Sequence, residues 1–171
     1  LSEIPDERII RIDPIKALID PETTALETND RLVNKMKRDG WVILTAAVDE
    51  NDISRTKEAT STLNTDTQLE SSLNTTVVDP GERIAQALAL TTEKTMSKAT
   101  VSGLFLTGGD IARTTLDILN ASNLCLTGSS IAEGIPEGWI VDGPATETRV
   151  VTKAGGFGSA KVIIKCIDHL R

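Results

Sequence analysis

Aromatic residues are scarce in this sequence, and positive charge is outweighed. Trp41, Phe105, Trp139 and Phe157 carry its aromatic rings, and 25 acids against 18 lysines and arginines leave a formal net charge of −7. A nucleic-acid partner wants a basic, salt-sensitive face, often with rings on which bases stack, so both shortages argue against one. No apolar run approaches the roughly 20 residues that cross a bilayer, which argues against a membrane-spanning helix. Cysteine is nearly absent too. Cys125 and Cys166 each sit inside an apolar run without CxxC spacing, so they read as small buried hydrophobes in a reducing compartment, and a disulfide between them is disfavoured. One histidine, His169, lies near the C-terminus on a segment that otherwise packs. It is expected at the surface or beside the negative end of a helix dipole, and a metal site built on histidines and cysteines has no ligand set. The opening LSEIPDERIIRID has neither an initiator methionine nor a charged segment leading into a long apolar core. No signal peptide is expected, the chain reads as a piece of something longer, and the expected location is the cytoplasm.

What is present is ordinary for a folded domain: 171 residues, 39% hydrophobic and 25% charged, enough for one sizeable core. A single domain over 1–171 is expected. ERIIRID (7–13) alternates enough for a short strand, with Pro14 and Pro21 punctuating the residues after it. Residues 21–40 predict a helix with acids in its first turn, Lys and Arg in its last, and Gly40 as its stop. WVILTAAV (41–48) predicts a buried strand. Residues 49–78, crowded with Thr, Ser, Asn and acids, predict either a helix with a weak face or an exposed, mobile excursion. Asp79, Pro80 and Glu82 then take the N-cap, N1 and N3 places of a helix reaching about Lys98. TVSGLFLTGG (100–109) predicts a strand ending in a glycine pair. DIARTTLDILNA (110–121) comes next as a helix with Ala112, Leu116 and Leu119 on one face. NLCLTG (123–128) is a short strand, 133–144 an edge strand with Pro/Gly turns, and TRVVTKA (148–154) a further strand. Val162, Ile163, Cys166, Ile167 and Leu170 stripe a closing helix. The alternation predicts an α/β fold: a mainly parallel sheet with helices on both faces, in three layers.

Two loops stand out, LFLTGGDIA (104–112) and VTKAGGFGSA (151–160), because each runs from a strand's carboxyl end into a helix's amino end, the edge where open α/β sheets bind ligands. Glycines there let backbone amides converge, and the helix start adds unpaired N–H groups and a positive dipole end, a setting for phosphate. Lys153 supplies a mobile charge of the right sign. The plainer alternative is that the glycines only make tight turns. Asp110, directly after Gly108-Gly109, is either a ligand for Mg²⁺ on a phosphate or a helix cap, and the two roles can coexist. Spelling rules out two motifs. A Walker A loop from Gly155 needs Gly at 160, where Ala stands, and the dinucleotide fingerprint from Gly156 needs Gly at 161, where Lys stands.

LFLTGGDIA, GIPEGW (134–139) and VTKAGGFG (151–158), in this order and spacing, resemble the C-terminal nucleotide-binding domain of the four-carbon acid sugar kinases, strongly over 100–171 and weakly before. The resemblance implies ATP and Mg²⁺ as cofactors and phosphorylation of acids of the threonate, erythronate or 3-oxo-tetronate type, with carbohydrate metabolism as the setting. It implies adenine nucleotide beside Gly108, Gly109, Asp110 and Ile111, phosphates near Gly155, Gly156 and Gly158, and Lys153 at the family's lysine position. It places the acceptor site and its catalytic carboxylate on an upstream domain of the same protein and none in this chain, and it allows a homo-oligomer. Two positions depart from the family, Ile111 where a small hydroxyl residue is usual and Ala154 where serine is common. The family's upstream Gly-Ser strand has no match in residues 1–20. A non-catalytic phosphate- or nucleotide-binding module with a regulatory or recruiting role is the alternative.

Overall fold

Three helices open on the same dipeptide. Asp13-Pro14 starts α1 (Pro14–Ile19), Asp20-Pro21 starts α2 (Pro21–Asp39) and Asp79-Pro80 starts α3 (Pro80–Lys98). Each aspartate accepts hydrogen bonds from backbone N–H groups of the first turn, at Ile15 and Lys16, at Thr23 and at Gly81, while proline at the first helical place needs no N–H partner. Gly40 ends α2 with a left-handed φ of 79°. The computed structural model describes residues 4–47, 51–52, 54, 56–58, 60–61, 79–154 and 161–171. Described residues between 51 and 61 are helical; residues 62–78, the rest of the segment read as a weak-faced helix or a mobile excursion, lie outside the described residues.

Two sheets carry the strands. β1 (Ile9–Arg11) and β2 (Ile43–Thr45) pair in parallel, Ile9 opposite Ile43. The larger sheet has the order β3-β6-β5-β4, built from β3 (Gly103–Thr107), β4 (Leu124–Ala132), β5 (Ile135–Ile140) and β6 (Arg149–Lys153). Its faces are filled by alternation. Leu104, Leu106, Leu124, Ile140 and Val150 pack with Met96 of α3 and with Ala112 and Leu116 of α4 (Gly109–Ile118) and Leu119, its C-cap. Phe105, Ile135 and Val151 pack on the other face with Val162, Ile163, Cys166 and Leu170 of α5 (Val162–Leu170). Helices therefore cover both faces, as expected. A third cluster joins Ile12, Ala17, Ala87 and Leu88 to Leu44, Ala46, Ile84 and Ile111, tying the small sheet to α1, α3 and the first turn of α4.

The expectation of a mainly parallel sheet fails in the larger sheet, where β3 and β6 are parallel but β5 runs antiparallel to both β6 and β4. Chain length is the cause. Glu133 and Gly134 alone separate β4 from β5, and residues 141–148 separate β5 from β6, whereas a parallel crossover needs about a dozen residues or more. The segment read as an edge strand, β5, is internal; β4 lies at the edge, and Cys125 on it is exposed rather than buried. Cys166 is buried as expected, and burial pushes its thiol up, against the opposing charge of Lys153.

Candidate functional site

β3 and β6 are neighbours, parallel and in register with Thr107 opposite Lys153, so their carboxyl ends lie side by side. The Gly108 N–H donates to the Lys153 carbonyl at 2.9 Å, and the Gly108 carbonyl accepts from Ala112 N–H at 3.0 Å. One glycine thus closes the sheet edge and opens α4. Its φ of 97° is a conformation that L side chains rarely adopt, which is the requirement for glycine here. α4 differs from the three aspartate-capped helices: its N-cap is Gly108 and no side chain caps it. The N–H groups of its first turn have no intrahelical partner, and they lie at the positive end of the helix dipole.

Asp110 is therefore not the cap. It stands exposed on the first turn. A Cβ built on Gly109 meets nothing within 4 Å, so the space over the turn is open. Lys153 is half-buried, its Nζ donating to the Ala154 carbonyl at 3.1 Å. Ile111 turns into the apolar cluster with Ala46 and Ile84. Of the residues singled out in the sequence, Gly108, Gly109, Asp110 and Lys153 are brought together at one sheet edge, and Ile111 supports the turn from behind. Gly155, Gly156 and Gly158 lie outside the described residues. Among the described residues no group of three or more His, Cys, Asp or Glu is placed to hold a metal. Mg²⁺ in phosphate sites is held by one or two carboxylates with the rest of its shell from phosphate oxygens and water, so the single carboxylate of Asp110 fits that ion beside a bound polyphosphate.

A second feature escaped the sequence. A cleft of about 640 Å³ opens at the carboxyl end of β2, lined by Ala46, Ala47, Pro80, Gly81 and Ile84 and by polar residues that include Thr56, Thr60 and Asp79. The signal that points to it is the third Asp-Pro helix start, which comes after the same sheet edge. His169 has a partner that no sequence signal revealed. Its Nε2 lies 3.0 Å from Glu137 Oε2, while Arg149 donates to Glu137 Oε1 from two nitrogens at 2.9 and 2.6 Å. Sequence distance hid this group, for the three residues come from β5, β6 and α5.

A family described as the nucleotide-binding C-terminal domain matches residues 1–163 of the chain. The chain belongs to that family. As a nucleotide-binding C-terminal domain it is similar to the D-threonate kinase of Salmonella typhimurium, 38% identical over 90 residues, which cover 53% of this chain and 21% of that protein. The D-threonate kinase of Bordetella bronchiseptica is 40% identical over 70 residues, 41% of this chain and 17% of that protein. These relatives make it the nucleotide-binding domain of a four-carbon acid sugar kinase family, as its three motifs suggested, and it spans about a fifth of the length of the relatives it matches. Among solved structures, a Haemophilus influenzae protein matches with a TM-score of 0.68 at 15% identity over 95% of this chain and 34% of its own. A Bordetella bronchiseptica protein, crystallised with bound citrate as a domain-swapped dimer, matches with 0.59 at 21% identity over 95% and 32%. At such identities these two carry the fold.

Proposed function

We propose that this nucleotide-binding C-terminal domain holds ATP for phosphoryl transfer to a four-carbon sugar acid bound elsewhere in a longer kinase, within a single domain spanning 1–171 and working in the cytoplasm. The observation that carries the reading is the Gly108–Lys153 hydrogen bond, which fuses the uncapped start of α4 and the lysine-bearing end of β6 into one surface. Phosphoryl transfer asks a protein mainly for position and charge. The free N–H groups of Gly109, Asp110 and Ile111 orient phosphate oxygens, and Lys153 neutralises them as a point charge. The family resemblance, rather than any described geometry, brings Gly155, Gly156 and Gly158 into this proposal as further phosphate contacts. Asp110 would hold Mg²⁺ against the phosphates of bound ATP, where the ion would share the charge that develops on the transferred group. The name shared by the two curated relatives favours threonate or a close analogue as the acceptor.

Gly109→Val tests the reading. A Cβ added at Gly109 meets nothing within 4 Å, so the fold is expected to be retained, but a β-branched group fills the space a phosphate needs. ADP affinity measured calorimetrically is expected to vanish in Gly109→Val and to fall in Lys153→Ala by about 1–3 kcal/mol, the range for a lost hydrogen bond to a charged group. A parent chain that binds neither ADP nor ATP up to millimolar concentration overturns the proposal.

A further inference from the structure

We infer that the cleft between β2, the helical residues Thr56, Lys57 and Thr60 and the start of α3 receives the nucleoside of the bound nucleotide, with the phosphates at the Gly108–Asp110 turn; this rests on the phosphate reading above. Position comes first. Ala46 and Ile84 line the cleft, and both pack in the apolar cluster that contains Ile111, the residue after Asp110. The cleft and the turn therefore border the same apolar cluster, both at carboxyl ends of parallel strands.

Shape and chemistry agree with that position. A volume of about 640 Å³ lies within the roughly 300–1,000 Å³ of small-molecule pockets. Ala46, Ala47, Pro80, Gly81 and Ile84 offer low apolar walls between which a flat ring fits. The polar part of the lining presents acceptors. Thr56 Oγ1 donates to the Asp52 carbonyl and Thr60 Oγ1 to the Thr56 carbonyl, both at 2.8 Å. Each hydroxyl proton is thereby committed within the helix, leaving oxygen lone pairs for the N–H of an amino-bearing base or the O–H of a ribose. The cleft is also unsuited to an anion. Asp79 already fills the start of α3, accepting from Gly81 N–H at 2.8 Å, and its charge offsets that of Lys57, the cation of the lining. A sugar acid would find no excess of positive charge here; a neutral nucleoside needs none.

Ala47→Trp and Thr60→Val decide the matter, titrated with ADP and with inorganic tripolyphosphate, which carries the phosphates and no nucleoside. Ala47→Trp is expected to weaken ADP by about tenfold or more, and Thr60→Val by about threefold, while both variants bind tripolyphosphate within about twofold of the parent. ADP binding unchanged in both variants overturns the cleft assignment and leaves the phosphate site standing. A parent that binds neither probe overturns the phosphate reading and this inference with it. If Ala47→Trp loses both probes through misfolding, Thr60→Val carries the decision alone, and an unchanged ADP affinity there refutes the inference. Competition of threonate with adenosine for the parent, without effect on tripolyphosphate, would assign the cleft to the acceptor instead.

Discussion

Glu137 shows how much one side chain can tie together. It is 7% exposed, accepts two hydrogen bonds from Arg149, touches His169, and sits where β5, β6 and α5 meet. The Arg149 guanidinium first, and His169 after it, hold its carboxyl below the usual value. Arg149 in turn lies over the Trp139 ring at 5.8 Å, within the reach of a cation–π contact. A carboxyl depressed in the folded state stabilises the fold at every pH above its unfolded value, about 4.3, and that contribution fades as pH falls through the folded value. The parent is thus expected to lose stability on acidification through and below the ordinary carboxylate range, and Glu137→Gln to lose less over the same interval. Urea unfolding between neutral and acid pH measures this, and parallel curves for the two proteins would falsify the role given to Glu137. Arg149→Met keeps most of the apolar stem but strands the carboxylate, so at neutral pH it should cost about 1–3 kcal/mol.

The buried residues of α2 and α3 include, beside Leu32, Val33 and Leu88, many alanines and threonines. Ala25, Ala85, Ala87 and Ala89 are almost wholly buried, together with Thr24, Thr28, Thr91 and Thr95. The threonine hydroxyls are satisfied locally: Thr28 donates to the Thr24 carbonyl, Thr91 to that of Ala87 and Thr95 to that of Thr91. Thr95 does one thing more, accepting from Asn29 Nδ2 at 2.9 Å across the interface, while Asn29 Oδ1 has no partner among the described residues. Two nearly isosteric changes separate these roles. Thr91→Val and Thr95→Val each remove one helix-internal bond, but Thr95→Val also strips the buried Asn29 amide, so it should be the more destabilising by about 1–3 kcal/mol in urea unfolding. Equal effects would mean that the cross-helix bond contributes nothing. This interface shows why element placement was legible and packing was not. Caps and stops are local, so Asp79-Pro80 and Gly40 marked helix ends from the chain alone, and the same dipeptide at 13–14 marks α1 by the same logic. The antiparallel half of the larger sheet was also written in connection lengths too short for a crossover. The contact between Asn29 and Thr95, the Glu137 group and the cleft each join residues remote in sequence, and no period or motif encodes such a meeting. At the candidate site, the glycine pair and Lys153 were legible as loop chemistry, but the Gly108 hydrogen bond that unites them depends on β3 and β6 being neighbours.

At the scale of the whole molecule the division of labour decides what this chain can do by itself. Among the described residues, the carboxyl ends of β3 and β6 bring together the uncapped start of α4, Lys153 and the exposed carboxylate of Asp110, which under the proposed reading serve a phosphoryl donor. Transfer further requires an acceptor oxygen in line with the γ-phosphate and a group to take its proton, and a misplacement of about 1 Å can cost on the order of a hundredfold in rate. The buried carboxylate of Glu137 is already bonded to Arg149, which opens β6 at the end opposite Lys153. It is in no position to serve as that base. The D-threonate kinases that resemble this chain extend well beyond the matched region, the alignments covering 21% and 17% of them, and the proposed division of the reaction puts the acceptor machinery in that remainder. Residues 1–171 alone are therefore expected to bind ADP and yet release none from ATP when offered threonate, erythronate or their oxo forms in a coupled assay. Turnover should appear when the acceptor-binding portion of a related kinase is supplied, joined to the chain or added in trans. Sustained, substrate-dependent ADP release by residues 1–171 unaided would place the catalytic base within this domain and remove the case for dividing the reaction between two.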